Sequence, residues 1–204
     1  MLDLPSLALA LVLWFYWGQV GAMAMRIRRR TRTLRGVVPE QRIERWLGAC
    51  FVPLVAAWLT FPLAAAWRMH GWLGIPDAAR DGPWLAVRWL AALAAVALLI
   101  VTRRCWKRMG TQWKMAVTPG ERQTLITDGP FANVRHPIYG YQILLMLASL
   151  AVVPTGPMLV LAVVHAILMT VKARNEERHL LGSHGDDYAR YVARTGRFFP
   201  RFSR

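Results

Sequence analysis

Three stretches of the chain carry no charged side chain: residues 4–25, 46–67 and 137–171. A helix needs about 20 apolar residues to cross a hydrocarbon core about 30 Å thick, and each stretch is long enough. A weaker run at 84–102 contains Arg88 but is uncharged from 89 to 102. Arg88 falls near the predicted end of its helix, where a long apolar stem lets the guanidinium reach the headgroup layer. It is read as an interfacial anchor. The 137–171 run is too long for one crossing and is interrupted by Pro154-Thr155-Gly156-Pro157, a turn composition. The pattern predicts helices at about 5–25, 46–67, 84–102, 138–153 and 158–172. The expected fold is an all-α integral membrane protein of five transmembrane helices in a single domain, 1–204, the last two helices forming a hairpin.

Charge then orients the helices. The 204 residues include 26 Lys+Arg against 11 Asp+Glu, a net charge of +15. Residues 26–45, 103–136 and 172–204 hold 23 of the 26 basic residues, whereas 68–83 balances two Arg against two Asp. Alternation of basic and neutral loops is what the positive-inside rule produces. It predicts a multi-pass protein with its N-terminus outside and its C-terminus in the cytoplasm. The same segregation accounts for the basic excess without nucleic acid as a partner. The chain opens Met1-Leu2-Asp3 and its first apolar run is followed by Arg26-Ile27-Arg28-Arg29-Arg30, the reverse of a signal peptide's charge order. The first helix is expected to be retained. Cys50 and Cys105 fall near predicted cytoplasmic ends, where a structural disulfide is not expected.

Candidate chemistry concentrates in about 103–204. Gly129-Pro130-Phe131-Ala132-Asn133-Val134-Arg135-His136-Pro137-Ile138-Tyr139-Gly140 stands at the mouth of the fourth helix, with Pro137 suited to a first turn. Free N–H groups and the positive dipole end there favour an anionic or carbonyl group, and Arg135 and His136 add donors. The alternative is a capped helix with interfacial Arg, His and Tyr. Lys172, Arg174, Glu176 and Glu177 follow the fifth helix. Carboxylates directly after an apolar span need cationic partners if partly buried, and Lys172 and Glu176 are i,i+4 neighbours. The alternative here is a solvated helix face. His179 and His184 are five residues apart and do not share a helical face, so no metal is expected. His165 reads as a hydrogen-bonded interior residue, and Arg201, Phe202 and Arg204 as a membrane-surface tail.

Taken in order, Leu125…Gly129-Pro130-Phe131…Arg135-His136-Pro137-Ile138-Tyr139, an apolar hairpin, Glu176-Glu177…Leu180…Tyr188…Tyr191 and Pro200-Arg201-Phe202 resemble the isoprenylcysteine carboxyl methyltransferase family. Phospholipid methyltransferases are related to it. The resemblance covers about residues 115–202. It implies an integral membrane enzyme that uses S-adenosylmethionine, bound on the cytosolic side between the hairpin and the C-terminal segment. By position it places cofactor contacts at Gln123, Thr124, Leu125 and Ile126, at Phe131, at Arg135, His136, Pro137, Ile138 and Tyr139, and at Glu176. The family often has His at position 123 and Tyr at 131. Lys172 matches the basic residue near the substrate, with Arg174 as the competing choice.

Methyl transfer from a sulfonium needs alignment of donor and acceptor rather than a covalent intermediate. A carboxylate acceptor needs no base. The expected activity is therefore methyl transfer to a lipophilic or lipid-modified acceptor carrying a carboxylate, oriented by Lys172 or Arg174. Phospholipid N-methylation is the alternative; it would need a base, for which His136 or Glu177 would serve. An NADPH-dependent membrane reductase and a non-catalytic helical module are more distant alternatives.

Overall fold

The computed structural model describes residues 2–32, 37–67, 71–117 and 124–201. Among these, six α-helices carry the regular structure: α1 (Leu4–Thr31), α2 (Arg42–Ala66), α3 (Gly82–Met109), α4 (Pro137–Val152), α5 (Gly156–His184) and α6 (Asp186–Arg194). Four of them, α1, α2, α3 and α5, are long and apolar enough to cross a membrane, and α4 is a shorter apolar helix.

Helix ends follow local chemistry. The Asp3 carboxylate accepts from Ser6 N at 3.1 Å, and Pro5 occupies the first turn of α1, a favourable cap. Arg28, Arg29 and Arg30 fill the last turn of α1, where cations meet the negative dipole end. Helices α1 and α3 run past their expected ends at 25 and 102, because Arg-rich turns remain helical after the apolar stretch stops. The turn at 153–155 separates α4 from α5, and Thr155 caps α5 through Met158 N at 3.4 Å.

Lengths matter for the site. Helix α4 has 16 residues, about 24 Å at the ordinary rise, short of a hydrocarbon core. Helix α5 has 29 residues, about 43 Å long. The expected end at 172 falls inside it, and α5 carries Lys172, Glu176, Glu177 and His179 without interruption beyond its apolar part. Helix α3 packs along α4, α1 along α2, and α4 and α5 form the hairpin. The core is built from residues such as Leu9, Leu13, Trp58, Leu145, Met146 and Met158. Cross-links are sparse and polar: Trp58 Nε1 donates to Ser149 Oγ at 2.9 Å, and Gln142 Nε2 to Tyr16 Oη at 2.9 Å.

Arg88 corrects the expectation of an interfacial anchor. Its side chain is 0% exposed. The guanidinium donates to the Asp3 carboxylate, to Ser6 Oγ at 3.2 Å, to Val152 O at 2.7 Å and to Ala79 O at 3.3 Å. One side chain thereby joins α1, α3, the end of α4 and the 75–81 loop. Its partner lies 85 positions away, so the local hydropathy around residue 88 held no sign of it. Removing one member of such a pair leaves an uncompensated buried charge, at about 3–5 kcal/mol. Asp3→Ala is expected to lower the unfolding free energy in detergent micelles by that amount. Asp77→Ala, whose side chain is 100% exposed beside Arg80, should change it by less than about 1 kcal/mol. Equal effects of the two substitutions would contradict the buried staple.

Candidate functional site

At the end of the bundle away from Arg88, two distant segments meet. The first leads into α4. Gly129 opens it with a φ of +56°, a region that suits glycine, and a tight turn follows over Gly129–Phe131. Asp128 accepts from Arg108 of α3, which holds the carboxyl below its usual value. The second segment follows α6. Gly196 N donates to Asn133 O at 3.0 Å, Arg135 N to Gly196 O at 2.9 Å, and His136 N to Arg197 O at 2.9 Å. Backbone approach is close enough that a Cβ on Gly140 would strike Phe198 O, and one on Gly196 would strike Phe199 O. From α6, Tyr191 Oη donates to Phe131 O at 2.5 Å, and burial pushes this phenol up to about 12.

Ion pairs lock the two segments to α5. Arg135 Nε donates to Glu177 Oε1 at 3.0 Å; Arg197 reaches the same carboxylate through Nε at 3.1 Å and through its terminal nitrogen at 2.7 Å. Arg135 also donates to Thr195 O and, at 3.2 Å, to Val192 O. Adjacent residues on a helix point about 100° apart, so Glu176 leaves this clamp and faces the bundle. It accepts from Tyr139 Oη. The Tyr139 and His136 rings stack with centroids 5.4 Å apart and planes within 4°, and His136 Nδ1 lies 3.5 Å from Glu176 Oε2. Lys172, one turn earlier, is 3.8 Å from Glu176 Oε1 and donates from Nζ to Met115 O at 2.7 Å.

These groups face a cavity of about 400 Å³. Of the residues named from the sequence, Thr124, Leu125, Ile126, Phe131 and Arg135 line it, as do His136, Pro137, Ile138, Tyr139, Lys172 and Glu176. Three do not join them. Arg174 is exposed; two positions from Lys172 on a helix is about 200°, so the two cations cannot share a face. Glu177 sits behind the wall in the arginine clamp. Gln123 lies outside the described residues, as do Phe202 and Arg204 of the expected tail.

The cavity also holds residues that sequence reasoning missed. Glu44, in the first turn of α2, is 2% exposed; its Oε2 accepts from Val117 N at 2.9 Å and its Oε1 from Asn175 Nδ2 at 3.2 Å. The rule that singled out Glu176, a carboxylate abutting an apolar span, applies equally to Glu44 before 46–67. His179 lines the cavity one turn beyond Glu176, and its Nε2 is buried with no hydrogen-bond partner. An apolar arm reaches between α1 and α2 past Trp17, Val20 and Phe51.

Fold and site together define a helical, multi-pass membrane protein with a partly polar cavity at one end and an apolar extension into the bundle. Residues 90–182 match the model of the isoprenylcysteine carboxyl methyltransferase (ICMT) family. Two curated relatives are similar over a comparable stretch. The cobalt-zinc-cadmium resistance protein CzcN of Cupriavidus metallidurans is 32% identical over 130 residues, covering 60% of this chain and 54% of the relative. The nickel-cobalt-cadmium resistance protein NccN of Alcaligenes xylosoxydans xylosoxydans is 30% identical over 131 residues, covering 60% and 55%. The chain spans about half the length of each. Glu44 and Arg197 fall outside the family-matched residues; Arg135, His136, Lys172, Glu176 and Glu177 fall within them.

The close approach at Gly140 yields a direct test of how the site is closed. Gly140→Ala is expected to push the Phe198 backbone away and weaken the pairing at 133–136. Trypsin should then cleave after Arg194 and Arg197 at least tenfold faster than in the parent chain, in the same detergent. Unchanged cleavage would mean that the C-terminal segment is held without this contact.

Proposed function

We propose that the chain is an S-adenosylmethionine-dependent membrane methyltransferase acting on a lipophilic acceptor, with a carboxylate as the group methylated. The observation that carries this reading is the convergence of His136, Tyr139, Lys172 and Glu176 on one cavity, within the residues that match the family. The donor set fits the cofactor. Glu176 offers a carboxylate for its ammonium group, Arg135 and the first turn of α4 favour its carboxylate, and Phe131 offers an aromatic face for adenine. The orphaned Nε2 of His179 adds an unused polar atom at the same lining.

When bound, S-adenosylmethionine supplies a methyl carbon whose bond to sulfur breaks with its electron pair left on sulfur, while an acceptor oxygen provides the pair for the new bond. The protein's residues do the rest. Tyr139 fixes the Glu176 carboxylate, and the clamp on Glu177 fixes the backbone beside His136. Lys172 can exchange its Met115 carbonyl for an acceptor carboxylate, orienting it without a proton transfer. Trp17, Phe51 and Leu168 keep water from the apolar arm, where the acceptor's hydrocarbon lies. Closing water out strengthens each of these electrostatic contacts.

A phospholipid amine is the second reading, favoured by one observation: Arg174 points away, so a single cation from that pair faces the cavity beside two carboxylates. In either reading the N-terminus is outside and the cavity opens to the cytoplasm, because the Arg-rich segments cluster at the cavity's end.

Calorimetry on the purified chain tests the cofactor assignment. S-adenosylmethionine and S-adenosylhomocysteine should bind and NADPH should not. Glu176→Gln should weaken S-adenosylmethionine by about 1.5–3 kcal/mol, the worth of a hydrogen bond to a charged group. Binding of NADPH alone, or full affinity in the variant, would overturn the assignment.

A further inference from the structure

Between the Tyr139–Glu176 contact and the apolar arm, the cavity meets an uncharged polar pair. Gln142 follows Tyr139 by three positions on α4, so it shares that helix face, about 4.5 Å further into the bundle. Its Nε2 donates to Tyr16 Oη of α1 at 2.9 Å. Both residues line the cavity, although the bundle covers them almost completely, at 7% exposure for Gln142 and 0% for Tyr16. The Tyr16 ring is held edge-on by Trp17 at 5.5 Å and by Trp106 at 5.0 Å. Trp17, next in sequence, stands with Phe51 at the arm, their ring centroids 5.7 Å apart.

The pair uses little of its hydrogen-bonding capacity. A phenol has a donor and acceptor sites, and a primary amide has two donors and an acceptor. Among the described residues, the bond between the two side chains is the hydrogen bond that each of them makes. The Tyr16 O–H, the second N–H of Gln142 and Gln142 Oε1 are left over. Beside them, Trp17 Nε1 is also buried with no partner among the described residues. Leaving buried donors and acceptors unmade is costly, and these belong to residues that face a cavity. The surplus includes both donors and an acceptor, and neither side chain carries charge.

Resting on the methyltransferase reading, we propose that Tyr16 and Gln142 form a subsite for an amide in the acceptor, one that joins the carboxylate-bearing end to the tail. The parts fall in order: a carboxylate beside Lys172, the amide about one helix turn away, and hydrocarbon past Trp17 and Phe51. An N-acyl amino acid has this order. Its amide C=O takes the Tyr16 O–H, and its N–H gives to Gln142 Oε1. An ester has no N–H for Gln142, and a plain acyl chain leaves the whole surplus unpaired, which is how a polar site rejects an analogue lacking the group. Tyr16 lies outside the family-matched residues and Gln142 within them, so the subsite combines the two parts of the chain. Linking α1 to α4 is a separate, structural task, and a pair that did this alone would treat acids of equal length alike.

Acceptor binding to the full chain in lipid nanodiscs separates the two roles, with protein-free nanodiscs as the blank for partition. Radiolabelled N-palmitoylglycine and stearate, acids of similar length, are titrated into the parent, Gln142→Met and Tyr16→Phe. The parent should bind N-palmitoylglycine about tenfold more tightly, and Gln142→Met should bring the two acids within about twofold. Tyr16→Phe keeps the ring against Trp17 and Trp106; it should also reduce the preference at least about threefold, and it decides the matter if Gln142→Met does not fold. Affinity for S-adenosylhomocysteine should stay within about twofold in both variants. Equal binding of the two acids by the parent, a preference that survives the substitutions, or a parallel loss of S-adenosylhomocysteine would overturn the proposal. If the parent binds no S-adenosylhomocysteine, the methyltransferase reading fails, while the two acids, titrated without cofactor, still decide the amide subsite.

Discussion

Glu177 takes hydrogen bonds from two guanidinium groups that reach it from segments far apart in sequence, Arg135 just before α4 and Arg197 just after α6. A carboxylate has about four lone-pair sites, and this arrangement uses them on both sides. Arg135 and Glu177 are largely withdrawn from water, at 8% and 14%, while Arg197 is 33% exposed, so loss of the carboxylate would leave the buried guanidinium of Arg135 without its charge partner. Everything at the site depends on this clamp. It fixes the 133–136 backbone against 196–197, which positions His136. It also fixes the rotation of α5, so that Glu176 and Lys172 turn toward the cavity.

The clamp divides labour between neighbouring residues. Glu176 and Glu177 are adjacent and of one type, yet the helix sends one to a structural ion pair and the other to the cavity. The Arg88–Asp3 pair has a matching role at the opposite end, tying α1, α3 and α4 together where α4 stops short. Between these two polar ends lie mostly apolar contacts, which define packing but little direction. Buried polar links such as Gln142–Tyr16 and Trp58–Ser149 supply register between helices that are otherwise uniformly apolar.

Much of this was legible in the chain. Charge-free runs located the membrane-length helices, Pro154-Thr155-Gly156-Pro157 located the hairpin turn, and Arg-His-Pro-x-Tyr with Glu-Glu pointed to Arg135, His136, Pro137, Tyr139 and Glu176 of the cavity lining. What escaped is informative. Arg88 read as an anchor because its partner lies at position 3, and sequence spacing carries no record of such a contact. Arg174 could not be told from Lys172 until the face of α5 was known. Glu44 was overlooked because the chemistry was sought in the second half, although its place beside an apolar span is the same as that of Glu176. Helix ends were set too early wherever apolarity, rather than hydrogen bonding, was taken as the limit.

Hydrogen exchange on the full chain in lipid nanodiscs, with and without saturating S-adenosylhomocysteine, tests most directly whether the clamped segments and the cavity act as one unit. Slowed exchange is expected together in 134–141, 172–180 and 113–117, with the loop at 71–81 unaffected. The 195–199 backbone should already be protected without ligand, because the clamp holds it. Rapid exchange of that backbone in both states, or protection by the ligand confined to segments away from the cavity, would contradict the site described.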